Sequence, residues 1–169
     1  GPHPAVLMTH GWGGDKRDMQ PLAQAYASRN FVVLAYTSRG FGQTEGTEGS
    51  GGQVNSTSFR ERRDASELIG YLARQASVTT DGEDNPRIGM DGLSYGGGIQ
   101  LRTAANDDRL DAIVPRATWY DLSQALAANG VVKTGWARAL ELGGNQTGNL
   151  APVINETSRA IRERGFVTE

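Results

Sequence analysis

The sequence has 169 residues, a net charge of −2 and no cysteine. That length is enough for one domain with a sizeable hydrophobic core, and the absence of cysteine excludes disulfides and thiolate metal sites. The nearly balanced charge gives no reason to expect a nucleic-acid partner, and no apolar run is long enough to span a membrane.

Short apolar runs alternate with amphipathic segments along the first two thirds of the chain. The apolar runs predict strands buried on both faces, and the intervening segments carry apolar residues at helical spacing. The predicted strands are residues 5–9, 31–36, 87–91 and 110–114, and the predicted helices are residues 19–29, 58–76 and 95–106. This alternation predicts an α/β fold with a parallel sheet and helices on both faces.

Two connections in this part of the chain are rich in turn-forming residues. Residues 37–57 form a predicted long loop with six glycines, which is expected to be mobile or to drape over the surface. Residues 79–86 form a predicted polar turn. The glycines at 46–52 do not indicate a phosphate-binding loop, because no Gly-Lys-Ser/Thr sequence follows them.

The pattern changes at Trp119, after which no further buried strand is predicted. Residues 121–128, 136–142 and 151–164 are predicted helices, and residues 143–148 are a predicted polar turn. We therefore divide the chain into residues 1–118, the N-terminal part of an α/β core, and residues 119–169, the beginning of a helical cap inserted above the sheet.

The candidate nucleophile is Ser94, in the sequence Gly-Leu-Ser-Tyr-Gly at residues 92–96. This is a G-x-S-x-G motif that follows a predicted strand and precedes a predicted helix. In that context a serine is held on a tight turn with its hydroxyl clear of the sheet, at the helix N-terminus. The alternative is an ordinary glycine-rich turn in which Ser94 caps the helix. The strand–turn–helix context favours the nucleophile.

An acyl-transfer nucleophile needs two N–H donors for the oxyanion that forms during the reaction. One donor is normally the backbone N–H after the nucleophile, here that of Tyr95, and the other comes from the loop after an earlier strand. The loop at residues 10–14, His-Gly-Trp-Gly-Gly, is in that position. Trp12 is the candidate second donor through its backbone N–H, with its side chain in the wall of the acyl pocket. The alternative is a packing aromatic beside a flexible loop.

These segments together resemble a known group of enzymes. HGWGG (10–14), FVVLAY followed by TSRGFG (31–42), and RIGMDGLSYGG (87–97) occur in order, and Val-Pro at 114–115 and Trp-Tyr-Asp-Leu at 119–122 follow. Over about residues 4–125 the sequence resembles the α/β-hydrolase fold, and more closely the X-Pro dipeptidyl-peptidase and cocaine-esterase-like group of serine hydrolases. Some members of that group use a tyrosine hydroxyl as an oxyanion donor where this sequence has Trp12, and the indole N–H is a possible substitute.

The expected order in this fold is serine, then an acid, then histidine, but both histidines of this sequence precede Ser94. His10 is interpreted as a structural residue that orients its loop, and His3 as a solvated terminal residue. Asp121 is interpreted as a helix N-cap rather than the triad acid. We expect the acid and the base to lie beyond Glu169, in the remainder of the catalytic domain or on a partner chain.

Two other charged residues near the predicted site are assigned structural roles. Asp91 immediately precedes the serine turn and is expected to lie at the end of its strand. Arg39 follows the second strand and is expected to form an ion pair or a loop hydrogen bond. The sequence shows no cluster with metal-ligand spacing and predicts no metal or cofactor.

The leading hypothesis is a serine hydrolase that cleaves a small peptide or an ester through an acyl-enzyme on Ser94. The resemblance implies X-Pro peptides or small esters as substrates, and the residues do not decide between them. The second hypothesis is a non-catalytic α/β-hydrolase-like module that binds a ligand or a partner through its cap. The missing acid and base motivate this alternative.

Overall fold

A computed structural model describes residues 1–43 and 49–164. Residues 44–48 of the predicted glycine-rich loop lie outside this description. The elements in chain order are β1 (Ala5–Thr9), α1 (Gln20–Ala27), β2 (Val32–Tyr36), α2 (Phe59–Ala73), β3 (Thr80–Gly82), β4 (Asn85–Pro86), β5 (Ile88–Leu93), α3 (Tyr95–Ala104), β6 (Ala112–Arg116), α4 (Leu122–Leu126), α5 (Thr134–Thr147) and α6 (Pro152–Arg164). Short 3₁₀ turns lie at Lys16–Met19 and Ala128–Gly130.

The main sheet has four parallel strands in the order β2-β1-β5-β6. Its central strand β1 is buried along its whole length, as expected for an apolar run between two layers of helices. Thr9 pairs with Gly92 at the carboxyl edge, so the loop after β1 and the turn after β5 begin side by side. Both predicted halves of the active site therefore meet at one edge of the sheet.

Helices cover both faces of the sheet, which confirms the predicted α/β architecture. On one face, α1 and the preceding 3₁₀ turn pack over a small cluster formed by Val6, Met8 and Met19. On the other face, α2 and α3 cover the larger core, which includes Leu7, Ile69, Ile88 and Ile99. Burial of these apolar side chains is the main stabilising contribution to the fold.

Helix α2 begins one residue after the start of the predicted helix at residues 58–76. Ser58 is the N-cap, and its hydroxyl accepts a hydrogen bond from Arg60 N–H. The carboxylate of Glu61 accepts hydrogen bonds from the backbone N–H groups of Ser58 and Asn55. This reciprocal capping satisfies donors that the first turn of a helix leaves unpaired. Glu61 is therefore buried and fully engaged in fixing the entry to α2.

Two predicted turns are corrected by the structure. Residues 79–86 are not only a turn, because β3 and β4 form a two-stranded antiparallel hairpin there. Residues 143–148 are not a polar turn, because α5 continues to Thr147. The two glycines at 143 and 144 suggested a break, but Gly144 is buried in the helix beside Trp12 and Leu150. Close packing explains the small residue there.

We call α4, α5 and α6 the cap helices. The segment that joins α5 to α6 is hydrogen-bonded to the loop after β2: Phe41 forms a β-bridge with Gly148, and Val54 forms one with Leu150. Leu150 and Ile154 also pack against the larger core. The cap helices therefore sit on the carboxyl edge of the sheet, above the predicted site. No helix in the described ranges is both long and apolar enough to cross a membrane.

Candidate active site

Ser94 lies on the turn between β5 and α3, as the motif predicts. Its backbone has φ 53° and ψ −111°, in the half of backbone space that L residues rarely adopt. Its N–H donates to the carbonyl of Arg116, and its own carbonyl accepts from Gly98 N–H and the Thr118 hydroxyl. Ser94 occupies the N-cap position of α3, yet its hydroxyl makes no capping hydrogen bond. The helix-capping alternative therefore does not explain the serine.

The glycines of the motif allow this turn to pass close to β1. A Cβ at Gly92 would lie 2.3 Å from the Thr9 hydroxyl oxygen, and a Cβ at Gly96 would lie 2.5 Å from the Thr9 carbonyl oxygen. Both distances are far below van der Waals contact, so any side chain at these two positions would push α3 away from the sheet. The close approach keeps Ser94 beside the loop after β1.

Tyr95, the first residue of α3, offers its backbone N–H next to Ser94. A donor in the first turn of a helix has no partner within that helix, so it is available to a ligand. Its side chain points elsewhere: it is buried, and its hydroxyl lies 3.4 Å from the Glu61 carboxylate. Burial and the nearby Glu61 charge raise the pKa of the Tyr95 phenol.

Trp12, on the loop after β1, joins the sheet to the cap. Its ring packs edge-on against the rings of Phe41 and Tyr95, with centroid distances of 5.2 and 5.5 Å. Its indole N–H donates to the carbonyl of Leu140 in α5 at 2.8 Å. The indole N–H is therefore already used within the protein. This leaves the backbone N–H of Trp12 as the candidate second oxyanion donor.

His10 is a structural residue, as predicted, because both of its ring nitrogens are engaged. Nε2 accepts a hydrogen bond from Ser38 N–H at 2.9 Å, so Nδ1 carries the proton and donates to the Gly11 carbonyl at 2.7 Å. The ring is fully buried, and burial lowers its pKa. His10 thus holds the loop after β1 against the loop after β2, and it has no free nitrogen with which to act as a base.

His3 lies at the far end of the sheet from Ser94. It forms a bridge with Val78 just before β1 begins, whereas Ser94 follows the carboxyl end of β5. A five-residue strand such as β1 is about 17 Å long at a rise of about 3.3 Å per residue. Neither histidine of the sequence is therefore placed to accept a proton from Ser94.

The three remaining charged candidates have structural roles, which confirms their interpretation. Asp91 accepts hydrogen bonds from the Tyr26 hydroxyl and from Arg116. Arg39 forms a two-pronged ion pair with Asp64 on α2. Asp121 is the N-cap of α4, and its carboxylate accepts from Gln124 N–H. In the described ranges, no group of three or more histidine, aspartate and glutamate side chains is arranged to hold a metal ion.

Ser94 faces a cavity of about 490 Å³ between the sheet edge and the cap helices. The cavity is lined by Ser94, Tyr95, Trp12 and Trp119 from the core side and by residues of all three cap helices. Sequence reasoning identified the first three residues and missed the cap-side wall. The helical spacing of apolar residues in the cap was visible, but it does not tell which side of each helix faces the serine.

Comparisons with known proteins agree with this architecture. The chain is similar to the quorum-quenching protein AidA of Acinetobacter baumannii, with 32% identity over 130 residues that cover 76% of this chain and 40% of AidA. The structure is similar to the α/β hydrolase GrgF from Penicillium sp. sh18, with a TM-score of 0.60, 19% identity, and coverage of 99% of this chain and 60% of GrgF. It is also similar to acetyl xylan esterase 1 from Thermoanaerobacterium, with a TM-score of 0.57, 22% identity, and coverage of 96% and 48% of the two chains.

The similar structures show an α/β-hydrolase fold. The chain spans about two fifths of the length of the curated relatives it matches.

A family model assigns the chain to a family. The model for X-Pro dipeptidyl-peptidases matches residues 1–162, which is nearly the whole chain. The matched range includes the serine turn, the loop after β1 and the cap helices. The chain belongs to the X-Pro dipeptidyl-peptidase (S15) family, a family of hydrolases.

Proposed function

We propose that the protein is a serine hydrolase that forms an acyl-enzyme on Ser94. The observation that carries this proposal is the backbone of Ser94, which is held in a rare conformation with its hydroxyl unused by the helix and facing a cavity. A strained residue at the mouth of a cavity is typical of functional sites. The family supports hydrolysis, and this turn supports Ser94 as the group that performs it.

In this mechanism, the Ser94 Oγ attacks the carbonyl carbon of the substrate while a base removes the hydroxyl proton. The backbone N–H groups of Tyr95 and Trp12 would donate to the oxyanion of the tetrahedral intermediate. The intermediate collapses when the bond to the leaving group breaks and the leaving group takes the proton from the base. Water then attacks the acyl-enzyme, releases the carboxylic acid and restores the Ser94 hydroxyl.

The base and the acid are proposed to come from outside these 169 residues, either from the remainder of the catalytic domain or from a partner chain. The two histidines within the sequence support this, because His10 has no free ring nitrogen and His3 lies at the opposite edge of the sheet. Family membership supports X-Pro peptides as substrates, and the likeness to an acetyl xylan esterase is compatible with esters.

A covalent probe tests the proposal directly. The full-length protein should react with a fluorophosphonate at Ser94, and Ser94→Ala should abolish labelling and reduce hydrolysis of p-nitrophenyl esters by about a thousandfold or more. Ser56→Ala is the matched control, because Ser56 also lines the cavity but is not on the serine turn, and this variant should leave labelling unchanged. Labelling that persists in Ser94→Ala would refute Ser94 as the nucleophile.

The origin of the base is tested on residues 1–169 alone. This polypeptide should turn over p-nitrophenyl esters poorly, because neither histidine reaches Ser94. Rapid hydrolysis that depends on Ser94 would show that a group within these residues is the base.

The second candidate is a non-catalytic binding module, which the preformed cavity and the absence of a usable histidine favour. In that case the full-length protein would bind ligands in the cavity but would neither be labelled at Ser94 nor hydrolyse esters.

A further inference from the structure

The wall of the cavity beside Ser94 is formed largely by apolar side chains, and each cap helix contributes one face of its surface. Helix α5 contributes Trp136, Ala137 and Leu140, which recur at a spacing of three to four residues and so share one side of the helix. Helices α4 and α6 contribute similar stripes: Leu122, Ala125 and Leu126 from α4, and Val153, Ile154, Thr157, Ser158 and Ile161 from α6. The cap helices therefore present a mainly apolar surface to the cavity, interrupted by Glu141, Thr157 and Ser158.

Among the described residues that line the cavity, Glu141 is the single charged side chain. One oxygen of its carboxylate already has partners within the protein. Ser158 donates a hydrogen bond to the Glu141 carboxylate at 2.7 Å, and Arg162 forms an ion pair with the same carboxylate oxygen. The Ser158 hydroxyl and the Arg162 guanidinium lower the pKa of Glu141. The carboxylate therefore stays ionised, with its charge balanced inside the protein.

The pairing of Glu141 with Arg162 distinguishes between two classes of substrate, peptides with a free N-terminus and neutral esters. A dipeptide with a free N-terminus carries an ammonium group, and moving that group from water into an apolar cavity costs several kcal/mol unless a carboxylate pairs with it. A neutral alkyl or aryl group meets no such cost and gains from each methylene that leaves water. The cavity is also of the size that usually encloses a small organic ligand.

We propose that this cavity binds the neutral, apolar acyl group of an ester, with a chain of medium length, and that it discriminates against the charged N-terminus of a peptide. This inference rests on the proposed function, since it places the acyl group that Ser94 would carry. It assigns the cap-side wall as the part of the protein that selects substrate by chain length.

The three tryptophans of these 169 residues, Trp12, Trp119 and Trp136, all line this cavity, so a ligand bound there should change their fluorescence, and calorimetry measures the affinity independently. The test uses the full-length protein with Ser94→Ala, titrated with 2-hexanone, 2-octanone and 2-decanone, and separately with the dipeptide Ala-Pro. We expect the dissociation constant to fall about threefold to fourfold for each added methylene. We expect Ala-Pro to bind at least a hundredfold more weakly than 2-decanone.

A matched pair of variants on α5 locates the binding site. Ala137→Leu adds bulk to the cavity wall and should weaken 2-decanone binding about tenfold while changing 2-hexanone binding less. Ala139→Leu adds the same bulk on the exposed side of the same helix and should change neither. Circular dichroism of both variants checks that the fold is retained.

Three results would overturn the inference. The first is affinity that does not depend on chain length, and the second is Ala-Pro binding as tight as that of the ketones. The third is an equal effect of the two leucine variants, which would show that the ketones bind elsewhere. Because the measurement is made without the Ser94 hydroxyl, it does not depend on catalysis. Failure of the covalent labelling experiment would therefore refute the proposed nucleophile while leaving the binding result to stand or fall by itself.

Discussion

The central strands of the sheet and the first two cap helices bury their residues to very different extents. All five residues of β1 are buried, whereas α4 has no buried residue and the only buried residue of α5 is Gly144. Large apolar side chains in and beside the cap remain at the surface: Val131, Trp136, Leu142 and Val153. The centre of the sheet is therefore stabilised by buried apolar side chains, while α4 and α5 direct theirs toward a cavity or the surface. This difference indicates that the centre of the sheet contributes more to stability than α4 and α5 do.

Hydrogen bonds from the loops after β1 and β2 tie the sheet to the cap helices. The Trp12 indole donates to Leu140, and Asn149 N–H donates to Gly40 while Val54 N–H donates to Asn149. Glu141 and Arg162 join α5 to α6 within the cap. Helices that bury few residues, as α4 and α5 do, open locally before the whole protein unfolds. We therefore expect the cap to exchange its amide hydrogens faster than the sheet.

The largest expected effect comes from a cavity in the sheet core. Leu7→Ala removes a fully buried side chain from β1 and should lower the free energy of unfolding by about 3 kcal/mol, within the usual range for such cavities. The same substitution in the cap, Leu142→Ala, removes a side chain that is 53% exposed and should cost less than about 0.5 kcal/mol. Urea denaturation of both variants measures the difference. Equal losses would contradict the division between the two regions.

Lowering the pH should reduce the stabilisation that His10 provides by joining the loop after β1 to the loop after β2. Burial lowers the pKa of His10 below its ordinary value of 6.5, with the charges of Asp18 and Asp15 opposing the shift. The unfolded chain therefore binds a proton more readily than the folded one, so the stabilisation is fully present above about pH 6.5 and is lost as the pH falls through the folded pKa. The slope between the two pKa values reaches about 1.4 kcal/mol per pH unit.

The contribution of His10 is isolated by comparing two variants in denaturation curves between pH 8 and pH 5. His10→Gln should flatten the pH dependence of the free energy of unfolding, because an amide does not titrate in this range. His3→Gln should leave it unchanged, since His3 is exposed at the other end of the sheet. If both variants keep the wild-type slope, His10 is not the titrating group.

The smallest expected effect tests the hydrogen bond between Trp12 and helix α5. Trp12→Phe keeps an aromatic ring beside Phe41 and Tyr95 but removes the indole N–H that donates to Leu140. The loss should be about 1 kcal/mol, the usual contribution of one hydrogen bond. Hydrogen exchange should accelerate in α5 and stay unchanged in β1. Equal acceleration in both would mean that the cap and the sheet unfold as one unit.

Strands β1 and β2 were predictable because each is a continuous apolar run next to turn-forming residues. The predicted strands at 5–9 and 31–36 agree with β1 and β2 to within one residue. The end of α5 was not predictable, because two adjacent glycines normally indicate a turn. A glycine is needed inside the helix at position 144 because a Cβ there would lie 2.9 Å from the Trp12 ring and from Leu150, and only the packed structure reveals this requirement.

In the site, too, features set by local sequence were predictable and features set by packing between distant residues were not. Ser94, Tyr95 and Trp12 were located from local motifs, and the structure brings them together at the carboxyl edge of the sheet. Their roles as nucleophile and oxyanion donors stay predictions. The cap-side wall depends on how α4, α5 and α6 turn their faces, which is decided by contacts between residues far apart in sequence, such as Glu141 with Arg162.

At Ser94 the backbone conformation lowers stability, while the hydroxyl of the same residue is needed for the proposed function. At φ 53° and ψ −111° a glycine would sit without steric cost, whereas a serine carries strain of about 1–3 kcal/mol. A chain improved for thermal resistance alone would exchange this serine for glycine, and would lose its hydroxyl in doing so. Engineering that ranks variants only by melting temperature would therefore favour the one substitution that removes the proposed chemistry.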